Sequence, residues 1–146
     1  MAKKPPRKAS ENVARAKDII RQKTPMPAGR EILDLVKQLK REKAFGYARK
    51  LLGLARESLD LAADGQVKLK LAQEHALCTY KDPDLPVRSR LDRALEILNA
   101  ADALLETENR ETLGLAGAIF KRRWEVAGQK IHLEHSLYTT TCAVFN

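Results

Sequence analysis

The stretch REILDLVKQLKREKAFGYARKLLGLARESLDLAADG, residues 30–65, decides how the rest of the chain is read. Ile32, Leu35, Val36 and Leu39 make one apolar stripe. After the charged Lys40-Arg41-Glu42-Lys43 a second stripe runs through Tyr47, Ala48, Leu51, Leu52, Leu54, Ala55 and Leu59 to about Ala63. Residues three and four apart lie on one side of a 3.6-residue turn, so each stripe is the buried face of a helix. Two such faces joined by a polar corner predict a helical hairpin, ended by a turn at Asp64-Gly65.

The same pattern continues towards the C-terminus. A third helix is expected from about Gln66 to Tyr80, carrying Leu69, Ala72, Ala76 and Leu77, and it must stop at Asp82-Pro83-Asp84-Leu85-Pro86, where prolines remove backbone donors. A fourth runs from about Val87 to Leu105 through Leu91, Ala94, Leu95, Leu98, Ala101 and Leu104. The fifth covers about Arg110 to Val126, with Leu113, Leu115, Ala116, Ile119, Phe120 and Trp124, and Gly128 separates it from a sixth with Ile131, Leu133 and Leu137. Towards the N-terminus, Ser10 is a candidate cap for a short helix to about Lys23, with Val13, Ala16, Ile19 and Ile20 on one side. Thr24-Pro25-Met26-Pro27-Ala28-Gly29 is the linker that follows.

Composition agrees with an all-α reading. Aromatic residues are only 5% of a 146-residue chain dominated by helix-forming types. One domain fits that length. No run approaches the apolar length of a membrane span, and two cysteines make no disulfide framework, which together predict a cytoplasmic protein. The net charge of +8 is unevenly placed: residues 1–30 contribute +7 and the remainder +1. The basicity therefore belongs to an N-terminal arm. A solvated, flexible arm and weak, salt-sensitive contact with nucleic acid are its two readings.

Three sets of seven residues share a spacing: Ile32, Leu35, Val36, Leu39, Ala48, Leu52, Ala55; Leu71, Glu74, His75, Cys78, Val87, Leu91, Ala94; and Leu113, Ala116, Gly117, Phe120, Gln129, Leu133, Ser136. Each keeps sixteen residues between its first and fifth members, as the tetratricopeptide pattern requires where helix A meets helix B. In the second set the stripe Leu69, Ala72, Ala76 serves equally well for helix A. Starts 39 and 42 residues apart exceed the usual repeat. The expected architecture is a short α-solenoid of about three degenerate tetratricopeptide-like hairpins with a flexible N-terminal arm, against the alternative of an ordinary helical bundle. Its divisions are a basic arm over 1–28, a helical domain over 29–138 and an irregular tail over 139–146.

The segment Glu111-Thr112-Leu113-Gly114-Leu115-Ala116-Gly117-Ala118-Ile119-Phe120-Lys121-Arg122 resembles the G-x-I-[YF]-K stretch of the tetratricopeptide-like MAP3K TRAF-binding domain. Lys43–Arg49 and Leu77–Pro86 are similar to its bacterial members, and the resemblance covers roughly residues 35–138. It implies partner binding in signalling or defence-related assemblies, with no catalytic residues to carry across. The chain departs from that family after Tyr138, where Thr139-Thr140-Thr141-Cys142-Ala143-Val144-Phe145-Asn146 reads as the end of a truncated or frameshifted product that leaves its last face uncovered.

Chemistry is weighed against packing at each candidate. His75-x-x-Cys78 and His132-x-x-His135 have a spacing zinc accepts, yet nothing aims the two pairs at each other, and structural roles are expected. Glu106 and Glu108 sit at a helix end, where solvated or capping roles are ordinary, and no phosphate loop or nucleophile elbow is present. No metal, cofactor or catalytic residue is expected, and Trp124 reads as packing. On the A helices, Arg30, Lys37, Lys40, Arg41, Lys121 and Arg122 are placed towards the concave groove. They predict binding of an acidic or C-terminal peptide segment of a partner protein through charge-assisted hydrogen bonds. Cations near helix C-termini also suit the macrodipole without any ligand. The sequence thus points to a non-catalytic binding scaffold, with a nucleic-acid-associated protein acting through residues 1–30 and Lys121-Arg122-Arg123 as the alternative.

Overall fold

The computed structural model describes the backbone of residues 6–58 and 65–145 and the side chains of residues 11–58 and 65–128. It contains α1 (Pro6–Ile20), α2 (Gly29–Arg41), α3 (Phe45–Ser58), α4 (Gly65–Lys81), α5 (Val87–Ala101) and α6 (Arg110–Phe145). Each helix packs on the next. In addition α2 packs on α4, α4 on α6 and α1 on α3, while α3 and α5 do not meet among the described residues. The even-numbered helices therefore share one inner side of the stack, and α3 and α5 diverge on the other, as successive hairpins in a solenoid do.

Two apolar clusters follow one another along this stack. The first joins α1 to α4 through Ala16, Ile19, Ile32, Leu35, Val36, Leu39, Ala48, Leu51, Leu52, Ala55, Leu71 and Cys78. The second joins α4, α5 and α6 through Ala76, Leu91, Ala94, Leu95, Leu98, Ala116 and Ile119. The central helix α4 serves both, Leu71 and Cys78 facing one and Ala76 the other. Leu71 and Cys78 of one stripe read in the sequence and Ala72 and Ala76 of the other are consequently buried, while Leu69, Glu74, His75 and Leu77 are partly exposed, because a helix between two neighbours hides parts of two faces.

Polar groups fix the junctions. Buried Gln73 donates through Nε2 to Thr112 Oγ1 at 3.0 Å and to Asn109 Oδ1 at 3.2 Å. Asn109 also accepts the Thr112 N–H at 3.0 Å, which caps the start of α6 while binding it to α4. At its other end α2 closes with the Lys43 N–H on Lys40 O at 3.0 Å and the Ala44 N–H on Leu39 O at 2.8 Å. This is a Schellman closure, with Lys43 at φ 60° in the position glycine usually takes. α1 ends the same way, with Gln22 at φ 61°.

Several expectations are corrected. The helix in the arm starts at Pro6, so Ser10 lies inside it, and Glu11–Ile20 is no detached arm: Ala16 and Ile19 are buried against α2 and α3. Its short apolar stripe had to be covered, and the neighbouring hairpin covers it. α5 stops at Ala101, since Asp102 turns to extended backbone (φ −152°, ψ 99°) and Thr107 Oγ1 donates to its carboxylate at 2.6 Å. Gly128 does not break the helix. α6 runs on to Phe145 through the region expected to hold a corner and an irregular tail, because a helical glycine costs only about 1 kcal/mol and β-branched threonines less. The third hairpin is thus one long helix. On it Ala116 and Ile119 face inward, whereas Leu113 (46% exposed), Phe120 (47%) and Trp124 (57%) lie along the adjoining, exposed flank, so Trp124 is not packed inside. The turn expected at Asp64 falls outside the described residues.

Candidate binding face on the even-numbered helices

Ion pairs tie the inner sides of α2, α4 and α6 together. Lys40 Nζ lies 2.6 Å from Glu74 Oε1, Lys70 Nζ lies 3.8 Å from Glu74 Oε2, and the same Lys70 lies 2.7 Å from Glu111 Oε2. Hydrogen bonding to Glu111 and the charges of both glutamates raise the Lys70 pKa above its ordinary value, against partial burial. The four side chains alternate in sign from α2 through α4 to α6, so this part of the face neutralises itself. Lys40, placed in the groove by its spacing, is therefore engaged by Glu74.

The other predicted cations have different surroundings. Arg30, Lys37 and Arg41 are exposed on α2, Lys121 is exposed on α6, and none has a carboxylate within ion-pair distance among the described residues. Arg122 reaches Glu125 one turn on at 3.5 Å, an exposed contact of small energetic weight. Arg122 also belongs to a hollow of about 400 Å³ at the end of the face where α2 and α4 finish. Lys43 from the α2–α3 corner, Lys81 from the end of α4, Arg90 from α5 and Arg122 from α6 surround it, with Phe45 and Tyr80 in the wall. Lys43, Lys81 and Arg90 were not recognised from the sequence. With Arg122 they lie in turn 38, 9 and 32 residues apart along the chain, and only the stacking of corners gathers them.

The hollow has a rigid back. Asp82, fully buried, accepts from Arg49 Nε at 2.7 Å and from the Asp84 N–H at 2.9 Å. Arg90 Nη1 donates to the Asp82 carbonyl at 2.7 Å, which fixes one end of that guanidinium. Gly46 allows this packing, because a Cβ there would stand 3.3 Å from Asp84 Oδ2 and 3.5 Å from Asp82 Oδ1.

His75 and Cys78 do not form a ligand pair facing solvent. Arg56 Nη1 lies 3.0 Å from His75 Nδ1, and since a guanidinium only donates, Nδ1 is the acceptor and the ring proton sits on Nε2. Burial, reinforced by Arg56, Arg49 and Arg93, lowers the His75 pKa to about 4. Burial also pushes the Cys78 thiol up to about 12, which leaves it without nucleophilic thiolate at neutral pH. Among the described residues no three His, Cys, Asp or Glu side chains gather as a metal site. His132, His135 and Cys142 lie outside the described side chains.

Stacked hairpins with an inner even-helix face agree with the comparison against protein families, in which the model described as Tetratricopeptide Repeats-Sensor matches residues 8–140. The chain belongs to that family. Tetratricopeptide-type repeats generally mediate protein–protein interaction and are typically non-catalytic. The family match begins at residue 8, within the α1 that packs on the Tetratricopeptide Repeats-Sensor core. Searches of curated proteins and of solved structures found no match to this chain. Among the described residues no helix is long and apolar enough to cross a membrane.

Proposed function

We propose that this chain is a non-catalytic scaffold that captures an acidic segment of a partner protein along the inner face of α2, α4 and α6, within a signalling or defence-related assembly. One observation carries the reading. The face cancels its own charge at Lys40, Glu74, Lys70 and Glu111, yet keeps Lys37, Arg41, Lys121 and the cations around the hollow without a matching set of carboxylates. Cations gathered on one face steer an acidic partner and fix its register. The resemblance of Glu111–Arg122 to the MAP3K TRAF-binding region supports the signalling context.

A fluorescent peptide of alternating glutamate and serine, titrated with the whole chain at low and moderate salt, tests this reading. Anisotropy should show salt-sensitive binding, weakened roughly tenfold by Lys37→Glu with Arg41→Glu, as charge-assisted bonds are worth about 1.5–3 kcal/mol each. Equal binding by the double variant removes these two residues from the site. The concentration of charge in residues 1–30 supports the alternative, contact with nucleic acid. Deleting residues 1–28 would not isolate it, since α1 contributes to the core. Replacing Lys3, Lys4, Arg7 and Lys8 by serine does so, and RNA retention lost in that variant alone favours the alternative.

A further inference from the structure

Resting on the acidic-segment reading, the geometry of the hollow points to a more specific ligand: we propose that the recess bounded by Lys43, Lys81, Arg90 and Arg122 binds a phosphate group, carried by a phosphorylated side chain of the partner segment.

Charge arithmetic separates phosphate from carboxylate. Four cations from four different elements open onto about 400 Å³. A single carboxylate brings one negative charge and two acceptor atoms. A phosphate monoester brings about −1.5 to −2 at neutral pH and three strong acceptor oxygens, a better match to several converging donors. Glu125, at 3.5 Å from Arg122, stands on the exposed side of α6 and compensates only that guanidinium. Two of the four donors are guanidiniums, whose planar fork suits phosphate oxygens, and Arg90 is already held by the Asp82 carbonyl at 2.7 Å. Tyr80 and Phe45 give the wall a phenol and a ring beside which the stem of a phosphorylated residue can lie.

The second observation is a backbone one. Lys43 sits at φ 60° in a Schellman closure, where a side chain with a Cβ is disfavoured and glycine is free of that penalty. Lysine therefore costs folding energy at this corner relative to glycine, and an ammonium placed at the mouth of the hollow is a gain that offsets it. The neighbouring α1 closure, with Gln22 in the same conformation, shows that a polar residue is tolerated there; what sets Lys43 apart is its position beside Lys81 and Arg122.

Lys43→Gly gives a test that misfolding cannot imitate, because it should raise the thermal midpoint while weakening the ligand. Two peptides of the same glutamate-rich sequence, one with a central phosphoserine and one with serine, are titrated against the whole chain, and inorganic pyrophosphate is titrated separately. The expected result is about tenfold tighter binding of the phosphopeptide, displacement of it by pyrophosphate, and a preference that falls to about twofold or less in Lys43→Gly with Arg122→Gln. Equal affinity for the two peptides overturns the phosphate site and leaves the acidic-segment reading standing. Binding of neither peptide, with pyrophosphate also inert, overturns both. Pyrophosphate binding that depends on Lys43 and Arg122, with neither peptide bound, upholds the phosphate site, assigns it to a free phosphate compound and overturns the peptide as its source. A phosphate preference unchanged in the double variant places the phosphate elsewhere and overturns the assignment to this hollow.

Discussion

His75 and Asp82 are single residues whose burial sets measurable consequences. The His75 pKa is lowered from 6.5 to about 4. The unfolded chain therefore takes up a proton near pH 6.5 that the folded chain refuses until about pH 4. The contribution to stability is full above pH 6.5 and is lost as pH falls towards 4. After allowance for partial solvent access its size is on the order of 2 kcal/mol. Urea midpoints followed from pH 7 to pH 4.5 should fall more steeply in the natural chain than in His75→Gln, which can still accept from Arg56 but does not titrate; parallel curves would remove His75 from the pH response. At Asp82 the counterion of Arg49 is wholly buried. Asp82→Ala leaves that guanidinium, itself mostly covered, without a partner, and unfolding free energy should drop by about 3 kcal/mol, against less than about 1 kcal/mol for an exposed pair such as Arg122 and Glu125. Neither role is visible in the residue order. Asp82 reads as a loop breaker beside proline, and His75 as one position of a helix; their partners Arg49 and Arg56 come from the preceding hairpin, 33 and 19 residues away.

At the scale of an element, the middles of helices are legible and their ends are not. Ile32, Leu35, Val36 and Leu39 form the buried face of α2 just as their spacing demands. The stops of α1 and α2 are harder to read, since Gln22 and Lys43 occupy left-handed positions where glycine is the usual signal. Gln22→Gly should relieve that conformation and stabilise the chain by about 0.5–1 kcal/mol, seen calorimetrically as a rise of a few degrees in Tm; no rise would mean that the Gln22 side chain compensates the backbone cost. α6 shows the reverse difficulty. Its two apolar sides, Ala116 with Ile119 and Leu113 with Phe120 and Trp124, both have helical spacing, and α5 covers only the first. Trp124 is the sole tryptophan, so intrinsic fluorescence reports on that outer side directly. Emission should be red-shifted and open to iodide quenching in dilute solution. A blue-shifted, protected emission at every concentration would contradict the outward placement of this side chain.

At the scale of the whole molecule, stability is shared along a row of hairpins that begins with α1. Removing residues 1–20 uncovers the side of α2 and α3 against which Ala16 and Ile19 pack. Loss of that much buried surface should lower the unfolding midpoint in urea by about 1 M or more and increase binding of a hydrophobic dye; an unchanged transition would make α1 a decoration rather than the first layer. The sequence by itself determined that the chain is helical, where most helix interiors lie and which way the interior faces of α2, α3 and α5 point, because periodicity records the demand of each helix for cover. It also singled out Lys40 and Arg122 by their spacing, without their partners Glu74 and Glu125. Only the tertiary structure decided that α4 hides two faces, that α1 belongs to the core, that Gly128 carries no break, and that Lys43, Lys81, Arg90 and Arg122 meet at one hollow. Those outcomes depend on which helix lies beside which, and that is set by contacts between residues remote in the chain, whose energies no local pattern contains.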